Sequence, residues 1–119
     1  MSTQLEIATE MRRLSALIDK GVDALRLAAR AAAEAEMDYR QAKAVAWTTV
    51  REGTVPERQA HVDAAVSDRR FARDLADGQR VAALEALRSR RAQLSAAQTL
   101  ASAFKSEAEM SRFGAEVGP

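Results

Sequence analysis

Apolar residues in the first half of the chain recur every seven positions along two parallel rows. One row holds Ile7, Leu14, Gly21, Ala28, Ala35 and Ala42; the other holds Met11, Ile18, Leu25, Ala32, Tyr39 and Ala46. This spacing puts both rows on one stripe of an α-helix, bulky at its start and narrow in the middle. The second half is less regular. Val62, Ala65, Val66, Ala72, Leu75, Ala76, Ala83, Leu87, Leu94, Ala97, Ala101, Phe104 and Ala108 share one broad apolar band. Neither half carries the period-two alternation of a strand, and no internal repeat stands out.

One punctuation mark separates the halves, Arg51-Glu52-Gly53-Thr54-Val55-Pro56-Glu57. Glycine can end a helix in the left-handed conformation, and proline is tolerated only in the first turn of the next. Thr54 with Glu57 has capping-box spacing, as does Thr3 with Glu6 at the start of the chain. The pattern therefore predicts a single all-α domain over 1–119. It comprises a helix over about 3–51, a turn at 52–55, a second helix over about 55–112 and a frayed tail at 113–119. Gly21 and Gly78 are the positions where either helix is expected to bend or break, since glycine costs about 1 kcal/mol relative to alanine inside a helix.

Composition sharpens this picture. Alanine supplies 27 residues, whereas Phe, Trp and Tyr together supply five. Such a chain forms helix readily yet buries little area per residue. A helix of about 50 residues is roughly 75 Å long, and two of them folded into a long antiparallel hairpin enclose no globular interior. Each covers only one stripe of the other. Leu84, Leu87, Leu94 and Phe104 are then expected to face outward as the interface of a helical homo-oligomer.

Candidate chemistry is sparse. There is no cysteine and a single histidine, His61, with no nucleophile motif near it, and no glycine-rich phosphate loop. Asp63, Asp68 and Asp74 interleave with Arg69, Arg70 and Arg73 at helical spacing, which reads as surface ion pairing and not as a metal site. The reading is of a non-enzyme with no cofactor and no metal. The N-terminal Met1–Glu6 stretch has no basic region followed by an apolar run, and no segment approaches the ~18 apolar residues of a membrane span. A soluble, cytoplasmic protein without a membrane partner is expected.

Net charge is only +1, but its distribution is uneven. Residues 80–105 hold Arg80, Arg88, Arg90, Arg91 and Lys105 against Glu85 alone, between a near-neutral first part and an acidic tail. Arg80, Arg88 and Arg91 share one side of a helix, with Arg90 set apart. Guanidiniums so placed can track a phosphate backbone, or they can simply form a solvated helix face. Arg40 and Lys43 form a second, weaker basic pair beside Tyr39 and Trp47. Aromatics next to basic residues can stack nucleobases. Tyr39, however, is a seam residue and reads as buried; Trp47 fits either role.

Met37-Asp38-Tyr39, the Gly53–Pro56 turn and Leu84-Glu85-Ala86-Leu87-Arg88-Ser89-Arg90 together resemble the UvsY-type phage recombination mediators. Those small helical proteins carry Leu-Asp-Tyr, a polar loop, and later Leu-Asp-Ala-Ile-Lys-Ser-Arg. The resemblance covers roughly residues 30–110, and the chain as a whole is similar to small helical proteins of actinobacterial phages. It implies a host-cell cytoplasmic ring that binds single-stranded DNA and helps load a RecA-like recombinase onto DNA coated by single-strand-binding protein. The family's basic residues before Leu-Asp-Tyr fall on Glu34 and Glu36 here, so DNA contact would rest on Arg40, Lys43, Arg80, Arg88, Arg90 and Arg91. The rival expectation is a helical adaptor or virion-assembly protein with no nucleic-acid role, which the near-zero net charge and the Glu34/Glu36 pair favour.

Overall fold

The computed structural model describes residues 3–117, with side chains to Gly114. The chain is all-α, with helices α1 (Gln4–Thr49), α2 (Val55–Ala65) and α3 (Ser67–Val117). It divides into two compact units. Unit 1 pairs the chain up to Val22 with Glu85 onward, and unit 2 is Asp23–Leu84. In each unit a stretch of α1 runs antiparallel to the returning chain.

Thr3 starts α1 with a complete capping box. The Glu6 amide donates to Thr3 Oγ1 at 3.1 Å, and the Thr3 amide donates to Glu6 Oε2 at 3.2 Å. Thr54 caps α2 through its hydroxyl, which accepts from the Glu57 amide at 3.3 Å, with Pro56 in the first turn. Gly53 takes φ +105°, a conformation that L side chains rarely adopt. Arg58 pins the turn: its Nε donates to the Val50 carbonyl at 3.0 Å while its guanidinium lies 5.4 Å from the Trp47 ring centre.

Neither expected glycine break occurs. α1 passes through Gly21 and α3 passes through Gly78 without interruption. The second-half helix divides instead at Val66, where φ −107° and ψ 9° depart from helical values. Ser67 follows directly, its hydroxyl donating to the Ala64 carbonyl at 3.1 Å. Gly21 has a different use. A Cβ there would lie 3.2 Å from Leu87 Cδ1, so the missing side chain lets Leu87 settle against α1. At its far end α3 continues to Val117, past the expected stop near residue 112, and Pro119 lies outside the described residues.

The seam of α1 is used along its whole length. All twelve positions of its two heptad rows are buried or half-buried. In unit 1, Ile7, Leu14 and Leu87 are buried; in unit 2, Tyr39, Ala46, Val62 and Val66 form a cluster with Ala42, Trp47 and Val50 packed against it. The seam of α3 is also a heptad. Apart from Leu84, every buried or half-buried residue from Ser67 to Gly114 falls on one of two rows. The rows are Arg73, Arg80, Leu87, Leu94, Ala101 and Ala76, Ala83, Arg90, Ala97, Phe104. Three arginines, Arg73, Arg80 and Arg90, occupy seam positions and are half-buried there, as long aliphatic stems allow.

Two sets of substitutions check this packing by urea denaturation. Leu14, 1% exposed, should cost about 2–5 kcal/mol when cut to alanine. Gly78→Ala should raise stability by up to about 1 kcal/mol, since a Cβ there meets nothing within 4 Å. Gly53→Ala should lower it by roughly 1 kcal/mol or more, because its φ of +105° strains any L side chain.

Candidate functional site

The six basic residues singled out by sequence fall into two groups. Arg40, Lys43 and Arg80 belong to unit 2, and Arg88, Arg90 and Arg91 to unit 1. Most of them already have partners. Arg40 Nε donates to Glu36 Oε1 at 2.8 Å, Arg80 reaches Asp77 Oδ1 at 2.9 Å, and Arg88 reaches Glu85 Oε1 at 3.2 Å. Lys43 stands 5.8 Å from the centre of the Tyr39 ring. Arg90 is half-buried in the α3 seam and lies near enough to Glu10 to help hold that carboxyl below its ordinary range, behind the larger effect of the Arg13 hydrogen bond. Arg91 alone of the six is exposed with no ion or π partner among the described residues.

Such i,i+3 and i,i+4 pairs at the surface contribute little to stability, but each lowers the field its arginine projects. The basic surface that spacing suggests is therefore broken up by Asp77, Glu85 and Glu36. Tyr39 is no stacking platform either. It is 6% exposed, and the Arg73 guanidinium covers it at 4.3 Å from the ring centre.

Arg73 makes the ion pair that its spacing suggested, but from a position that sequence reasoning did not foresee. Read as one of several surface ion-pairing arginines, it sits in the seam between α1 and α3, pairs with Asp74 Oδ1 at 2.9 Å and lies 3.7 Å from Glu36 Oε2. The Asp74 hydrogen bond, with Asp74 and Glu36 charge beside it, raises its affinity for its proton. Its spacing of seven from Val66 and Arg80 is the one signal that marks it as a seam residue.

The expected oligomer interface needs correction. Leu87 is 3% exposed and so is spent within the chain, and Leu84, Leu94 and Phe104 are half-buried. The two rows of α3 turn Leu87, Leu94 and Phe104 toward α1; Leu84 lies beside the rows. Uncovered apolar side chains lie elsewhere: Phe71 at 69% and Leu75 at 51% exposure, one turn apart on α3, and Met110 and Phe113 near its end.

Unit 2 also has two open grooves. One, of about 610 Å³, has a floor of Ala29, Ala32 and Ala33 and a rim of Glu36, Arg40, Arg73, Asp74, Asp77 and Arg80. Its rim charges balance, three acidic against three basic. The other, of about 540 Å³, is apolar, lined by Ala42, Val45, Ala46, Val50, Ala65 and Val66, with Asp38, Gln41, Thr49 and Arg69 at its margin. Among the described residues no group of three or more His, Asp or Glu side chains is placed to hold a metal, and no helix is long and apolar enough to cross a membrane.

No protein-family model matches the chain, and comparison with curated proteins and with solved structures finds no match.

Replacing Arg73 by alanine should lower the urea midpoint through loss of cover over Tyr39, and Arg73→Met should recover part of that loss. Arg91→Ala should leave the midpoint unchanged. Equal effects at the two positions would show that the seam placement of Arg73 has no energetic meaning.

Proposed function

We propose that the chain is a non-enzymatic helical assembly module, whose copies associate through apolar surface that a single chain leaves uncovered. One observation carries this reading: Phe71 and Leu75 stand in solvent at helical spacing, followed by Gly78 and Ala82 on the same exposed line. A line of this kind is a ready contact for another helix. The same side chains inside one copy have nothing to lie against. Sedimentation over a micromolar concentration series should give a mass above that of one chain. Phe71→Gln with Leu75→Gln should shift it toward the monomer with helicity retained. A monomer at every concentration sinks the reading.

A second reading keeps the resemblance to recombination mediators. Arg88, Arg91 and Lys105 recur along one exposed side of α3, and neither Arg91 nor Lys105 has an ion pair among the described residues. Assembly would multiply weak phosphate contacts of this kind. A RecA-like recombinase and single-strand-binding protein would be its partners. Fluorescence anisotropy with single-stranded DNA at two salt concentrations tests it. Binding should fall steeply with salt and vanish when Arg88, Arg90 and Arg91 are all replaced by alanine. No binding at low salt retires this second reading and leaves the first intact.

A further inference from the structure

The apolar groove of unit 2 is walled on one side by α1 and on the other by the α2–α3 junction. Its floor is Ala42, Ala46 and Ala65, small enough for a helix backbone to come close, and Val45, 63% exposed, stands at its edge. Charge distinguishes its two walls. Asp38 lies on the α1 wall and Arg69 on the opposite wall; both are exposed, and neither has an ion pair among the described residues. Of the nearby charges on the same helices, Glu36, Arg40, Arg73 and Asp74 are paired; Asp68 and Arg70 have no ion pair among the described residues but do not line the groove.

An occupant of this groove must bring apolar surface, a cation for Asp38 and a carboxylate for Arg69. The groove itself supplies all three. Two copies related by a two-fold axis present each surface to its own equivalent, so that a residue i meeting j on the partner entails j meeting i. We propose that this groove is an isologous dimer contact, in which Asp38 of each copy pairs with Arg69 of the other over the packed alanine and valine surfaces. The inference rests on the assembly reading above and adds to it a second face, distinct from the Phe71–Leu75 line.

Charge reversal tests it on the intact chain. Asp38→Arg and Arg69→Asp, each alone, place like charges together twice per dimer and should raise the dimer dissociation constant tenfold or more. Carrying both changes in one chain should restore dimerisation. The sharper measurement mixes the two single variants. The Asp38→Arg copy then offers a cation at both positions and the Arg69→Asp copy a carboxylate at both. A one-to-one heterodimer should form where neither variant self-associates. A role confined within one chain cannot produce that rescue. Val45→Gln, at an exposed position, should weaken the dimer with helicity unchanged.

If the wild type assembles and none of these changes alters its mass, the groove is not the contact, and the assembly reading stands on another face. If the mixed variants stay monomeric while each single variant has lost its dimer, the opposed Asp38–Arg69 contact is wrong. A helical peptide from another protein that fills the groove of a monomeric wild type would also overturn it. A wild type that is monomeric throughout removes both the groove contact and the assembly reading.

Discussion

Burial along the α1 seam is the interaction on which the rest depends. Its rows are wide at Ile7 and Leu14, narrow through Ala28, Ala32 and Ala35, and wide again at Tyr39. An alanine buries only one methyl group, so the narrow stretch contributes little apolar area of its own. The returning helix answers with long side chains there. In unit 2, Arg80 lines the groove floored by Ala32, and the Arg73 guanidinium covers Tyr39. The stems add the contact that alanine lacks, and the charged ends reach acidic residues at the rim. Where the opposing side chain is bulky, α1 yields instead: Gly21 makes room for Leu87 in unit 1.

That exchange explains what could be seen in advance. The α1 heptad was fully legible, because every residue in its two rows is apolar or glycine. The α3 heptad was hidden, because Arg73, Arg80 and Arg90 occupy it and a pattern of apolar residues cannot register them. With the rows unrecognised, exposed Leu75 and Ala72 fell into one apolar band with buried Leu87, and Leu84, Leu87, Leu94 and Phe104 were expected to face outward. Helix ends followed a similar division. The turn at Gly53 was legible from residues whose backbone preferences are strong. The break at Val66 was not, since no glycine or proline marks it and the Ser67 hydroxyl bond to the Ala64 carbonyl is an option open to any serine in a helix.

The candidate basic surface was misjudged for a related reason. Arginines counted along a sequence carry full charge; arginines on a helix share that surface with whatever lies three or four residues away. Glu85 is the lone acidic residue between 80 and 105, yet it sits one turn from Arg88 and takes up the charge in the middle of the run. Asp77, just outside the same window, does so for Arg80. Arg90 faces the seam. What remains projecting is Arg91 and, at the far end of the run, Lys105, and a local excess of four positive charges shrinks to a small field at the surface.

These constraints act together on what the chain can present. A seam built from alanine and arginine stems is closed by one helix against another, and it consumes the basic residues that spacing alone would assign to a polyanion. It is also narrow, so side chains a third of a turn away from it have nothing to cover them. Phe71 and the Ala42–Val45 groove are two such places, on a chain with too few large apolar residues to build a third layer. The proposed association is the remaining way to remove that surface from water. The unpaired Asp38 and Arg69 would then set its register, as isolated charges flanking an apolar contact do more for orientation than for affinity.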